Sequence, residues 1–380
     1  MLKFRLKHMT ILTIFYLVLI TSLWSNNIYL LVLFAFLTFI TLPLKKFWDG
    51  ASIMLLLFSV PYSVMSLMTG QYGSGFMFLA TLIAPVAFFR FGRWMMTYFV
   101  DETSRQKLLV SIIFCYLISL FIMTFKDIAI VGIVNETRVL LEGPHSDTNL
   151  AATMYGMMAS VGIGCVSVIF ITKQNIWHKL ANIVLTILSM LVVVHLLNRT
   201  GILIFMCCTL ISLVLSLKMR LSRAVNVLII VGIVSFLLIN LGIITDDIFA
   251  AYQQRELDST VSAQTLGGRS FIWNDAVNKL LTHPFGWEKE QYAHNLWLDI
   301  ARVGGWVPLL FFLCVTFDWA KSCYRLVHRK KSPLVLLIVM INLSMLMASF
   351  VEPVIDASIL FFVIFMLFWG FTKTMSRERY

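Results

Sequence analysis

Apolar runs separated by short polar breaks fill this chain from end to end. A helix needs about 17–25 mostly apolar residues to cross a bilayer, with shorter runs trimmed at the interface. By that measure, twelve stretches qualify: 9–23, 28–43, 51–68, 75–89, 108–125, 149–172, 180–197, 201–217, 225–244, 295–320, 332–350 and 355–372. The stretch 91–100 reads as interfacial. The pattern predicts an all-α polytopic membrane protein with about 12 transmembrane helices, forming one membrane domain over 1–380. Most breaks are short turns, among them NRTG at 198–201 and VEPVID at 351–356. Two are longer: a loop over 126–148 and a cap over 245–294. No internal repeat or low-complexity tract is seen.

Inside the longer break, 269–282 has helical periodicity. Ile272, Trp273, Ala276, Val277, Leu280 and Leu281 recur at helical spacing, opposite Asn274, Asp275, Asn278 and Lys279. Ser270 is a candidate cap, and Pro284 with Gly286 ends the segment. Such a helix either lies flat on the membrane or packs as part of a cap.

Composition supports the membrane reading. The chain has 380 residues, 59% of them hydrophobic and only 13% charged, with a mean hydropathy of +0.88. A soluble domain of this size cannot hide so much apolar surface. The net charge of +11 would raise nucleic acid as a partner for a soluble protein, but here its distribution decides. With the N-terminus in the cytoplasm, every internal loop assigned to that side is basic, as the positive-inside pattern requires. The exceptions are Lys126, Arg138, Arg199, Arg255, Arg269, Lys279, Lys289 and Arg302. Both termini are then cytoplasmic, both long breaks face outward, and the partners are membrane lipids, with no nucleic acid. Lys3, Arg5 and Lys7 precede an apolar run without a small-residue cleavage site, so the start reads as a first span. The six cysteines have no metal or redox spacing and read as small buried hydrophobes.

The candidate chemistry gathers on the outer side. Arg199 lies between two spans, and Arg269 follows a Gly-Gly pair. Guanidinium groups bind phosphate bidentately and stay charged. Two at one surface suit a lipid diphosphate; each is otherwise an interfacial anchor or a salt-bridge partner. His294 stands where the tenth span begins, and a helix N-terminus favours a neutral imidazole able to take a proton from a sugar hydroxyl. Glu288 and Glu290 are alternative bases or orienting groups. His145 and Asp147, in the polar approach to the sixth span, are candidate substrate contacts or helix caps. Asn295 and Arg302 are further candidate substrate contacts. His195 lies on the helical face of Arg199 and reads as a hydrogen-bond partner of a neighbouring helix. The spans hold almost no acidic residue at mid-depth, whereas ion-coupled transporters need such groups. No nucleotide-binding or metal-ligand signature is present, and no cofactor or metal is expected.

NRTG at 198–201, GGRSFIW at 267–273 and HNLWLDIARVGG at 294–305 together resemble the O-antigen ligase and O-antigen polymerase superfamily of bacterial envelopes. The resemblance covers roughly 145–310. It implies a twelve-span-type fold in the bacterial inner membrane with a large periplasmic loop. It also implies metal-independent, inverting transfer of a glycan from undecaprenyl diphosphate to an acceptor sugar, lipid A core or a growing glycan. By position, Arg199 and Arg269 would hold the diphosphate and His294 would activate the acceptor hydroxyl. The spacing from His294-Asn295 to Gly305 fits the ligase type, but Trp306, Val307 and Pro308 follow where further small residues are usual, and Asn198 stands where a serine is common. The alternatives are a repeat-unit polymerase of the same superfamily, a flippase for the same lipid-linked glycan, and a non-catalytic scaffold.

Overall fold

The computed structural model describes residues 2–24, 27–42, 48–70, 75–135, 137–141, 148–170, 175–217, 269–287, 292–329 and 332–378. Among them all regular structure is helical. The helices are α1 (Leu2–Ile20), α2 (Asn27–Thr41), α3 (Gly50–Met68), α4 (Gly75–Tyr98), α5 (Glu102–Val131), α6 (Thr148–Ile163), α7 (Ile176–His195) and α8 (Arg199–Leu217). They continue with α9 (Arg269–Thr282), α10 (Leu296–Gly304), α11 (Trp306–Arg329), α12 (Pro333–Val351), α13 (Val354–Ala357) and α14 (Ile359–Arg377). A 3-10 turn, Gly164–Phe170, prolongs α6.

Among the described residues, eight segments are long and apolar enough to cross a membrane: α3, α4, α5, α6 with its 3-10 extension, α7, α11, α12 and α14. Met9–Ile20, Asn27–Thr41 and Arg199–Leu215 are shorter apolar helices. The chain is an all-α, multi-pass membrane protein. The expected span 225–244 lies outside the described residues.

Three boundaries differ from the sequence expectation. The stretch taken as interfacial is the end of α4, which runs unbroken to Tyr98. Its arginines are buried inside the protein. Arg93 pairs with Asp49 at 3.2 Å, and Arg90 stacks over Phe39 and Trp48. Helix α5 runs to Val131, so the first six residues of the expected 126–148 loop are helical, and Gly132 ends it at φ +89°. The expected span 295–320 is two helices, α10 and α11, broken at Gly305 with φ +70°. That conformation favours glycine, and Trp306 then donates its amide to the Pro284 carbonyl.

The tightest crossing joins α4 to α14. A Cβ on Gly92 would lie 2.3 Å from the Leu367 carbonyl oxygen, and one on Gly370 would lie 2.2 Å from that of Phe89. Small residues let membrane helices approach backbone to backbone. Asp49 also takes Arg377 at 2.9 Å, Lys373 holds Asp318, and Arg105 holds Glu378. These ion pairs tie one end of the bundle. The other end carries the candidate site.

Candidate functional site

The turn between α7 and α8 presents the first arginine. Leu197 adopts φ +49°, uncommon for a branched residue. Asn198 then caps α8, accepting the Gly201 amide at 2.8 Å and donating to the Ala152 carbonyl. Gly156 makes room for that side chain, since a Cβ there would sit 2.0 Å from Asn198 Nδ2. Each polar residue of NRTG therefore has a distinct local task. Asn198 caps, Arg199 opens the helix half-buried, and Thr200 donates to Glu352 at 3.3 Å.

The second arginine and the histidine come from a separate unit. Helix α9 spans Arg269–Thr282, matching the 269–282 expectation, with Arg269 as its first residue. It packs through Ala276 and Leu280, both buried, while Val277 and Leu281 of the expected apolar face are exposed. Trp273 Nε1 donates to the Ala293 carbonyl at 2.8 Å, fastening α9 beside His294. His294 itself adopts φ +50°. Its neighbours hold that shape: the Asp299 carboxylate accepts the amides of Ala293 at 2.8 Å and Asn295 at 3.2 Å. Asn295 caps α10 through Oδ1 and donates from Nδ2 to the Phe350 carbonyl at 3.1 Å. Burial, with Asp356 nearby, pushes the Asp299 carboxyl up to about 6 against the pull of Arg302.

Glu352 is the centre on which these pieces close. Pro353 follows it and disfavours helix for the residue before it, so α12 stops and Glu352 is extended as its C-cap. The side chain is buried, with the residue 5% exposed. It accepts from Thr153 of α6 at 3.1 Å and from Thr200 of α8. Arg269 Nη2 lies 3.5 Å from Oε1, and His294 Nδ1 lies 4.0 Å from Oε2. Arg138 also acts on this carboxylate, and Arg199 acts on Arg138.

The charges are placed against the helix dipoles. Arg199 and Arg269 are each the first residue of a helix, and Glu352 caps a helix C-terminus. A charge of that sign at that end is unfavourable, by about 0.3–1 kcal/mol for an exposed case. An anionic ligand suits such placement, because helix N-termini and guanidinium groups attract the same species. Burial pushes the Glu352 carboxyl up, against Arg269, the two threonines and Arg138. Burial, then Arg269, pushes His294 down to about 4. Its Nδ1 is buried without a hydrogen-bond partner. The arrangement sets guanidinium groups beside a neutral imidazole, suited to holding an anion and accepting a proton.

Of the sequence candidates, Arg199, Arg269 and His294 gather here. Asn295 lies next to them but is committed to capping. Arg302 belongs to a different network: it is 1% exposed and is bound to Asp299 at 3.3 Å and Asp356 at 2.9 Å. It braces the carboxylate that holds the His294 backbone. His195 hydrogen-bonds neighbouring elements, with Nε2 2.8 Å from Asp127 and Nδ1 2.9 Å from the Ile133 carbonyl. His145 and Asp147, with Glu288 and Glu290, lie outside the described residues. Sequence reasoning missed Glu352, Arg138, Thr153 and Thr200. Two signals were available: an acid followed by proline in a turn on the predicted outer side, and Arg138 among the exceptions to the positive-inside pattern. Compared with protein-family models and with curated proteins, the sequence matches none.

Proposed function

We propose that this protein is a metal-independent, inverting glycosyltransferase of the O-antigen ligase and polymerase type. It moves a glycan from undecaprenyl diphosphate to an acceptor sugar, lipid A core in the ligase form, at the outer face of the bacterial inner membrane. The observation that carries the reading is the convergence of Arg269 and His294 on the buried Glu352, with Arg199 and Arg138 beside it.

In this reading the acceptor hydroxyl attacks the anomeric carbon opposite the diphosphate. A carbon–oxygen bond forms there, and the bond to the phosphate oxygen breaks with its electron pair leaving on the diphosphate. The arginines stabilise that developing charge. The hydroxyl proton passes to Nε2 of His294. The imidazolium so formed faces Glu352 through Nδ1, as a triad histidine faces its carboxylate. Arg269 helps depress His294 in the free protein. A bound diphosphate offsets that guanidinium charge, so donor binding raises the basicity of the histidine when it is needed.

The test is transfer by purified protein in detergent, given donor and acceptor. Wild type should form product without a bilayer, which eliminates transport as the sole activity. His294→Ala, Arg199→Ala and Arg269→Ala should each abolish it while the protein still inserts. Normal surface glycan in a His294→Ala strain would sink the catalytic role. In a deletion strain, polymerised glycan stranded on the lipid carrier identifies a ligase, and single repeat units on the final acceptor identify a polymerase.

A further inference from the structure

Helix α9 is tied at both ends to one boundary of the bundle. Its first residue, Arg269, reaches Glu352 at 3.5 Å, and Glu352 is the residue that follows the spanning helix α12. Past its last turn, the Pro284 carbonyl accepts the amide of Trp306 at 3.0 Å, and Trp306 opens the spanning helix α11. Consecutive spans run in opposite directions, so the start of α11 and the end of α12 lie at the same membrane surface. Tryptophan at the end of a span favours the boundary between headgroups and acyl chains, which marks the depth of Trp306. Helix α9 has 14 residues and is about 21 Å long at 1.5 Å per residue. With both ends held at one surface, it lies along that surface.

The sequence of α9 divides its circumference into three. Each residue is turned by about 100° from the one before. Asp275-Ala276-Val277 and Lys279-Leu280-Leu281 repeat one order: a charge, a buried residue, an exposed apolar residue. Ala276 and Leu280 face the protein. On one side of them Asp275 and Lys279 pair at 3.0 Å. On nearly the opposite side stand Val277 and Leu281, the latter 68% exposed. A helix lying along a bilayer against a wall of protein has one flank toward water and the other toward lipid. The division of α9 is of that kind. Helix α11 continues the apolar flank. Trp306, Val307 and Leu310 are exposed at the start of a segment that crosses the membrane, so they belong to its lipid-facing side. Phe285, exposed as well, sits at the joint of the two helices, where a Cβ on Gly305 would lie 2.7 Å from its Cα.

We infer that α9 is a membrane-surface helix, with Val277 and Leu281 seated in the headgroup–acyl boundary of the leaflet in which α11 begins. Asp275 and Lys279 face water, and Phe285 stands at headgroup depth, where water still reaches. The occupant of the apolar flank is bilayer lipid, because the flank runs on into the lipid-facing side of a span. The seat sets Arg269, and the His294 turn that Trp273 fastens to α9, at the depth of lipid headgroups. It holds whatever reaction the site carries out.

The test is the surroundings of a nitroxide on a single cysteine in the full-length chain, after removal of the six native cysteines. Leu281→Cys, Asp275→Cys and Leu310→Cys are compared in phosphatidylcholine–phosphatidylglycerol liposomes. Oxygen concentrates among acyl chains, whereas a nickel chelate stays in water. The oxygen-to-nickel collision ratio at Leu281→Cys should approach that at Leu310→Cys and exceed that at Asp275→Cys severalfold. Equal ratios at Leu281→Cys and Asp275→Cys would put both flanks in water and overturn the inference. A label at Leu281→Cys that neither reagent reaches would overturn it too, since protein would then cover the flank. If the cysteine-free chain does not fold, wild type in the same liposomes is labelled with a photoactivated carbene reagent confined to the acyl region and mapped by peptide mass. Modification of Val277 and Leu281 along with Leu310 is expected. Modification of α11 without α9 would refute the seat.

Discussion

His294 gains its chemistry from two neighbours of opposite effect. Burial and Arg269 hold its imidazole neutral, and Glu352 waits 4.0 Å from Nδ1 for the charged form. The sign of the pH dependence follows. As the base of the proposed transfer, His294 must be neutral, so activity should be lost only as pH falls through its folded value, about 4, instead of the ordinary 6.5. The acid limb of kcat/KM, which reports the free enzyme, should therefore lie near pH 4, and the limb of kcat should lie higher, because bound diphosphate offsets Arg269. A kcat/KM limb at 6.5 would contradict this. In stability terms the histidine works against the fold in the same window. Between 6.5 and 4 the unfolded chain takes up a proton that the folded chain refuses, so His294 subtracts stability as pH falls. At this scale, three residues that meet in the candidate site were legible as residue types: Arg199, Arg269 and His294. Glu352 was not, because a carboxylate in a short turn gives no sign that it will be buried.

The elements show how short sequence signals become geometry. The 269–282 periodicity corresponds to α9 because local spacing and the Pro284–Gly286 stop determine a helix with little outside help. The break between α10 and α11 escaped the hydropathy pattern, since apolar residues continue through it. What breaks the run is Gly305, where a Cβ would lie 2.0 Å from the Pro284 carbonyl oxygen at φ +70°. The break frees α10 to stand as a short bracket whose Asp299 and Asn295 fix the His294 backbone. Gly305→Ala should destabilise the protein by at least about 2 kcal/mol, from strain plus that collision, and should lower transfer by displacing His294. Thermal melting in detergent checks this against Gly50→Ala, where nothing lies within 4 Å of the added methyl. Equal melting temperatures would show that the bracket tolerates a side chain.

Across the whole molecule, charge is sorted to two ends with different tasks. One end closes with the ion pairs Asp49–Arg93–Arg377, Asp318–Lys373 and Arg105–Glu378. The other gathers Arg138, Arg199 and Arg269 around Glu352. The first end holds segments that the positive-inside pattern puts in the cytoplasm, so the second should face outward. In a variant lacking the six native cysteines, a cysteine at exposed Phe285 should react with an impermeant maleimide in cells with a permeabilised outer membrane. One at exposed His328 should react only after lysis. The reverse labelling would invert the topology.

By itself the sequence determined the class of the molecule and most of its helices, and it pointed to three residues of the candidate site, since hydropathy, periodicity and turn chemistry act over short distances along the chain. Only tertiary structure decided what those residues face. Glu352 and His294 are 58 positions apart, and Arg138 and Glu352 more than 200. Their meeting depends on α5, α6, α7, α8 and α12 ending at one side of the bundle, and on a proline and a buried histidine–aspartate pair that turn those ends inward. Contacts so distant in sequence leave no local pattern to read. The same holds for Arg302, which the motif offered as a substrate contact and which packing made a brace.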